Sequence, residues 1–171
     1  MEVPTLQNNH EYMEQVEGFR VIGISVVTTN KNEKSTKDLK ELWRQFFEEN
    51  RLEQIPNKKG EEIHSIYADY ESDYKGEYTS IIGLWVNSLG QIHDGLIGRE
   101  FSDGKYQKFT ARGQMPNAVT ASWKEIWSRG KELNRKYTAD FEVYRQKSQN
   151  VKESEVEIYT ATELNEKYRY N

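Results

Sequence analysis

The sequence predicts an α+β fold in which two copies of a strand–helix–strand–strand unit form one antiparallel sheet with two helices on one face. Two observations predict it. Each half of the chain presents the same order of patterns: a β-rich segment, an amphipathic helix, an aromatic strand, a polar loop and a closing strand. The spacing also repeats, because the interval from Tyr67 to Ile81 equals that from Tyr144 to Ile158. We therefore expect two pseudo-repeats, at about residues 18–88 and 95–160.

The first pseudo-repeat opens with residues 19–29, a nearly continuous β-branched and apolar run that predicts a strand buried on both faces. Ser35 or Thr36 caps the helix that follows. Residues 63–70 and 78–86 then predict two strands. The helix carries an apolar stripe with helical spacing, formed by Leu39, Leu42, Trp43, Phe46 and Phe47.

The second pseudo-repeat follows a glycine-rich stretch and begins with a strand over residues 105–111. Pro116 occupies a position that the first turn of a helix tolerates. Residues 141–145 and 156–160 predict two short alternating strands joined by a charged loop. The helix between the strands at residues 105–111 and 141–145 presents one apolar face, formed by Val119, Trp123, Ile126, Trp127 and Leu133.

The composition indicates a folded domain of ordinary size. Only 35% of the 171 residues are hydrophobic and 30% are charged, yet 4 Trp, 11 Tyr and 6 Phe supply the apolar area that disordered chains lack. The ends of the chain are more polar. Residues 1–17 predict an N-terminal arm, residues 18–160 the single domain, and residues 161–171 a C-terminal tail.

Charge and residue usage argue against several kinds of site. A net charge of −4, with basic and acidic residues interleaved, does not favour direct nucleic-acid binding. The chain has no cysteine and only three histidines, none at zinc spacing, so we expect no metal and no cofactor. No apolar run approaches the roughly 20 residues that cross a membrane, and the N-terminus lacks a signal-peptide pattern. These features predict a cytoplasmic protein.

Carboxylates beside aromatic side chains are the main chemical signal. In the strand over residues 140–145, alternation places Glu142 and Tyr144 on one face and Phe141 and Val143 on the other. If the apolar pair packs on the helices, Glu142 and Tyr144 point away from them. The same alternation groups Tyr67 with neighbouring carboxylates in the earlier aromatic strand.

Such a carboxylate has three possible roles. Among aromatic rings it suits a cationic or lipophilic ligand, through cation–π and charge attraction. It could equally act as a general base, since burial raises its pKa. It could also lie on an ordinary solvated strand face. Trp85, Trp123 and Trp127 are either pocket walls or core, Trp43 is assigned to the core, and His64 to the surface of its strand.

Three segments together resemble the GyrI-like family, the effector-binding domain also found in some AraC-type and MerR-type transcription activators. They are residues 67–83, with the sequence YADYESDYKGEYTSIIG, then the WKEIW segment that contains Trp123 and Trp127, and the DFEVY segment at residues 140–144. The resemblance extends over about residues 19–160. It implies a tandem pair of strand–helix–strand–strand modules, in agreement with the duplication above.

The resemblance also implies a ligand cleft between the modules, lined by aromatic residues and holding an acidic residue that meets cationic, lipophilic compounds. Glu142 matches the acidic position of the family's Phe-Glu-Val-Tyr motif. The candidate lining residues are Tyr67, Trp85, Phe109, Trp123 and Tyr144.

The residues before the first strand leave no room for a helix-turn-helix, so the sequence resembles a stand-alone member. The leading hypothesis is a module that binds amphipathic, cationic, aromatic small molecules. One alternative is a hydrolase of small electrophilic compounds that uses the same Glu142. The other is a protein-interaction module similar to gyrase inhibitors. The oligomeric state stays open between monomer and homodimer, since residues 19–29 could expose a sheet edge.

Overall fold

The computed structural model describes residues 13–145 and 154–163. Over these residues the chain forms eight β-strands and two main helices, with a short helical segment after the second. The strands are β1 (Met13–Val16), β2 (Phe19–Thr29), β3 (Ile63–Ala68), β4 (Glu77–Val86), β5 (Ile97–Phe101), β6 (Gly104–Gly113), β7 (Arg135–Tyr144) and β8 (Ser154–Thr162). The helices are α1 (Lys34–Glu48), α2 (Asn117–Ser128) and the four-residue α3 (Gly130–Leu133).

All eight strands belong to one antiparallel sheet with the order β1-β6-β8-β7-β3-β4-β2-β5. This order is symmetric about the β7–β3 pair, because each strand has its counterpart from the other half at the same distance from the centre. The α+β fold with a duplicated unit and two helices on one face is therefore confirmed. The equal Tyr67–Ile81 and Tyr144–Ile158 intervals are not structural equivalents, since Ile81 packs on the face opposite the helices and Ile158 on the helix face.

Each half contains one strand more than the sequence pattern predicts. β1 precedes β2 in the chain but pairs with β6, while β5 precedes β6 but pairs with β2. The two halves thus exchange their leading strands. A hydrogen bond from the Gly18 amide to the Asp103 carboxylate ties the β1–β2 corner to the β5–β6 corner.

These edge strands correct two boundaries drawn from sequence. The predicted arm over residues 1–17 contains β1 at Met13–Val16, and residues 1–12 lie outside the described residues. The predicted tail over residues 161–171 begins inside β8, which ends at Thr162, and residues 164–171 are not described. The short edge strands were missed because backbone pairing holds them, whereas the sequence pattern reports only side-chain burial.

Both faces of the sheet are buried. Helix α1 packs through Leu42 and Phe46 on β2 and β4, and α2 packs through Val119 and Ile126 on β6 and β8. The opposite face has its own core, formed by Phe19, Val21, Ile66, Ile81, Tyr106, Phe141, Val143, Tyr159 and Ala161. The sheet curls around this second core, so apolar side chains are needed on both sides of its central strands.

This second core reverses the predicted orientation of β7. Phe141 and Val143 point away from the helices, and Glu142 points toward them. The assignment of His64 to the strand surface is also wrong. Its ring is buried against Trp85, with 4.4 Å between ring centroids, and burial lowers the pKa of His64 to about 3 because the charged imidazolium is disfavoured there.

Two glycines, Gly23 and Gly83, face each other on the paired strands β2 and β4. A Cβ on Gly23 would lie 2.0 Å from the Ile82 carbonyl oxygen and 2.6 Å from the Gly83 Cα. We expect Gly23→Ala to lower the free energy of unfolding by about 2 kcal/mol or more, because backbone would have to move. Urea denaturation measures this. In the matched control Gly130→Ala the new Cβ has its nearest heavy atom 3.9 Å away, and a loss equal to that of Gly23→Ala would contradict the argument.

Candidate functional site

A cavity of about 660 Å³ lies between α1, α2 and the central β3–β7 pair. Eight of its eighteen lining residues are aromatic, and both halves of the chain contribute to its walls. The lining consists of Asn30, Ser35, Thr36, Leu39, Lys40, Trp43, Tyr67, Tyr70, Tyr74, Tyr78, Pro116, Val119, Thr120, Trp123, Trp127, Arg135, Glu142 and Tyr144.

Glu142 lies at the base of this cavity with only 2% of its surface exposed. Three donors reach its carboxylate. The Tyr144 hydroxyl donates to Oε1 at 2.6 Å, while the Tyr67 hydroxyl at 2.9 Å and the Trp123 indole Nε1 at 2.6 Å both donate to Oε2. Within the described ranges no lysine, arginine or histidine forms an ion pair with it. The site therefore presents a buried carboxylate that is hydrogen-bonded but not neutralised by a cation.

Burial and hydrogen bonding act on this carboxyl in opposite directions. Burial raises the pKa of Glu142 above its ordinary value, and the hydrogen bonds from Tyr144, Trp123 and Tyr67 partly offset that rise. The pKa values of Tyr67 and Tyr144 are themselves well above normal, first because both are buried and then because the charge of Glu142 is adjacent. Both hydroxyls thus keep their protons and remain donors.

Strand register explains how one carboxylate meets two tyrosines. Ser65 on β3 is the direct partner of Glu142 on β7. Tyr67 follows Ser65 by two residues and Tyr144 follows Glu142 by two, so all of them face the helices. Because the strands are antiparallel, the two tyrosines lie on opposite sides of Glu142, and each reaches a different carboxylate oxygen. The Ser65 hydroxyl also donates to the Tyr67 hydroxyl at 3.2 Å.

The helices hold aromatic rings against these tyrosines. Trp43 of α1 meets Tyr144 edge-on with 5.0 Å between centroids, and Trp123 of α2 meets Tyr67 edge-on at 5.6 Å. At the next turn of α2, Trp127 stacks on Tyr74 of the β3–β4 connection at 5.1 Å with nearly parallel planes. The cavity is therefore framed by rings that are fixed by their mutual packing.

A second charged group borders the cavity. Asp140 on β7 is fully buried and accepts hydrogen bonds from Arg135 at 2.6 Å, from the Tyr70 hydroxyl at 2.6 Å and from the Ala161 amide at 2.9 Å.

Alternation predicts that Tyr70 points away from Tyr67. The strand instead ends at Ala68, and Asp69 has a left-handed backbone (φ 53°), which brings Tyr70 to the cavity side.

The structure brings together four of the six side chains proposed from sequence. Glu142, Tyr144, Tyr67 and Trp123 all line the cavity. The other two do not. Phe109 is fully buried in the core beneath α2, and Trp85 lies on the opposite face of the sheet, stacked on Phe19 with 4.4 Å between centroids. Phe109 lies in the core beneath the helix rather than at the cavity, and Trp85 lies on the opposite face of the sheet. Sequence spacing alone reports neither property.

The cavity also contains aromatic residues that the sequence did not assign to it. Trp43, interpreted from sequence as core, is partly buried and lines the cavity together with Leu39. Tyr70, Tyr74 and Tyr78 come from the β3–β4 hairpin. One feature of the sequence could have identified Leu39 and Trp43 as lining residues. They lie on one side of the α1 stripe, in the position that Trp123 and Trp127 occupy on α2.

The described residues contain no group of three or more His, Cys, Asp or Glu side chains that could hold a metal ion. Within the same part of the chain, no helix is long and apolar enough to span a membrane.

Comparisons with known proteins agree with this architecture. Residues 12–161 match the family described as Cass2, integron-associated effector binding protein. The integron cassette protein VCH_CASS2 from Vibrio cholerae is 28% identical, with a TM-score of 0.71 over 90% of this chain and 96% of that chain. YobU of Bacillus subtilis (strain 168), whose name proposes a role in transcriptional regulation, is 29% identical over 150 residues, which are 83% of this chain and 91% of YobU.

A solved structure of SAV2435 bound to tetraphenylphosphonium shares the fold, with a TM-score of 0.76 and 18% identity over 90% of this chain and 93% of that chain. The family match spans nearly all of the described residues, and the expected GyrI-like architecture is present. The chain belongs to the family of integron-associated effector binding proteins, within the GyrI-like group.

Proposed function

We propose that this protein is an effector-binding protein that captures amphipathic, aromatic cations in the cavity above Glu142. The observation that carries the proposal is the buried Glu142 carboxylate, which has three hydrogen-bond donors and no ion-pair partner among the described residues. An unneutralised charge in a site of low polarity is costly, and a cation that enters the cavity offsets that cost.

The aromatic walls support a lipophilic cation rather than a hydrated inorganic one. Ring faces attract positive charge, and apolar area buried on binding stabilises a hydrophobic ligand. A cavity of about 660 Å³ accommodates a ligand with several rings. The Tyr, Trp and carboxylate groups therefore suit a bulky organic cation whose positive charge is delocalised over its aromatic substituents or surrounded by them.

The tetraphenylphosphonium complex of SAV2435 supports the same class of ligand. That ion is a lipophilic monocation with four aromatic rings, and the fold that binds it there is shared by this chain. Tetraphenylphosphonium is accordingly our first probe.

Replacing Glu142 by Gln removes the charge and keeps the side-chain volume. We expect Glu142→Gln to weaken tetraphenylphosphonium binding by roughly tenfold or more, because a charge–charge attraction in a buried site is lost. Isothermal titration calorimetry measures the dissociation constant. The control is Glu53→Gln, the same change at an exposed residue away from the cavity. Equal affinity of Glu142→Gln and wild type would refute the role of Glu142.

Binding should also depend on pH through the same carboxyl. The pKa of Glu142 is raised, so the group is ionised well above that pKa and becomes protonated as the pH falls through it. We expect affinity for the cation to be constant at high pH and to fall toward about tenfold per pH unit below the free-protein pKa. Titrations between about pH 5 and pH 8 test this, and Glu142→Gln should give a flat profile.

Two tryptophans on opposite faces provide a matched pair of substitutions. Trp123→Phe removes a hydrogen bond to the ionised form of Glu142. The midpoint of the pH profile, which is the pH at which half of Glu142 is ionised in the free protein, should therefore rise by roughly one unit. Trp85→Phe makes the same change on the opposite face, where Trp85 stacks on Phe19, and should leave the midpoint unchanged. An equal shift in both variants would indicate a general effect on the fold.

A further inference from the structure

The Arg135–Asp140 ion pair lies beside the cavity and is not needed to explain how Glu142 attracts a cation. Arg135 lines the cavity, yet its side chain is only 1% exposed. Its guanidinium lies over the rings of Tyr137 at 4.3 Å and Trp123 at 5.6 Å and donates to Asp140 at 2.6 Å. A buried arginine at the wall of a cation site requires an explanation, because its charge opposes the proposed ligand.

The charges around the cavity supply that explanation. Asp140 precedes Glu142 by two residues on the same strand face, which places their Cα atoms about 7 Å apart. Without a partner, Asp140 would give the site a second negative charge. Arg135 neutralises it through a direct hydrogen bond. The remaining charged residue of the lining, Lys40, is exposed and therefore screened by solvent.

Among the described residues, the net charge near the base of the cavity is therefore that of Glu142 alone. We propose that the Arg135–Asp140 pair is a specificity determinant that limits the cavity to a single negative charge and so selects singly charged over doubly charged aromatic cations. This inference rests on the proposed function, and it adds the charge number of the ligand.

A structural role for the pair leads to a different expectation. If Arg135 and Asp140 serve only to hold Tyr70 and β8 in place, their replacement disturbs the cavity and weakens every ligand by a similar factor. If they set the charge, replacement changes the ratio of affinities for cations of different charge. The ratio is therefore the informative quantity.

The experiment uses two probes with a common benzylpyridinium core: N-benzyl-phenylpyridinium, with one positive charge, and benzyl viologen, with two. Dissociation constants for both are measured at constant low ionic strength, since salt screens the effect. The variants are Arg135→Met, Asp140→Asn and the double variant Arg135→Met/Asp140→Asn. With Glu142 counted and every carboxyl group ionised, the wild type and the double variant have a local charge of −1, Arg135→Met has −2 and Asp140→Asn has 0.

We expect Arg135→Met to shift the ratio of the two dissociation constants by roughly tenfold in favour of the dication. Asp140→Asn should weaken the monocation by roughly tenfold, because Arg135 then opposes Glu142 directly. The double variant should return the ratio to that of wild type. A ratio that stays the same in all variants, or a double variant that is not restored, overturns the inference.

Separate controls test whether each variant folds and whether the proposed function itself holds. A buried aspartate without its arginine destabilises the fold, so Arg135→Met is checked by circular dichroism and thermal melting. If it does not fold, Asp140→Asn and the double variant decide, and monocation binding by folded Asp140→Asn at wild-type strength overturns the inference. If wild type binds a cation but the ratio never changes, only the selectivity argument fails. If wild type binds neither probe, the proposed function fails with it.

Discussion

The buried carboxylate of Glu142 is the constraint around which the rest of the site is arranged. A charge removed from water must be compensated by hydrogen bonds or by an opposite charge. Here Tyr67, Trp123 and Tyr144 supply hydrogen bonds from β3, α2 and β7. Of these contacts, the hydrogen bond from Tyr67 to Glu142 crosses the central strand pair and joins the two halves of the chain. The donors from Trp123 and Tyr144 belong to the same half as Glu142 and fix its carboxylate at the cavity.

The same arrangement explains why so many rings surround the cavity. Tyrosine and tryptophan donate one hydrogen bond each and otherwise present apolar surface, so they can satisfy a carboxylate without adding a positive charge. A lysine or arginine in their place would form an ion pair with Glu142 and neutralise its charge. Arg135 avoids this conflict because it is held by Asp140 and stacked on Tyr137. Within the described residues, the charge of Glu142 therefore has hydrogen-bond donors but no ion-pair partner.

The fold, and Glu142 with the three side chains that donate to it, could be predicted from sequence for identifiable reasons. The helix stripes, the aromatic strands and the grouping of Glu142 with Tyr144 depend on local periodicity, which sequence shows directly. The face toward which Glu142 points depends on the second core under the curled sheet, and that core is assembled from distant segments. The prediction that Trp85 lines the cavity is wrong for this reason. The Arg135–Asp140 contact spans a register shift in β7, which no alternation rule predicts.

The duplication imposes a last condition on the charge of the site. Ser65 and Glu142 are direct partners on the two central strands, and each is followed two residues later by a tyrosine of the cavity. They therefore occupy equivalent positions on either side of the pseudo-two-fold axis. An acid at both positions would place two buried carboxylates about 5 Å apart between their Cβ atoms, and both could not remain ionised. With serine at one position, the symmetric scaffold holds one carboxylate that both tyrosines can reach. The single charge thus follows from the location of Ser65 and Glu142 at the pseudo-two-fold axis that relates the two halves. Neutralisation of Asp140 by Arg135 keeps a second charge out of the site.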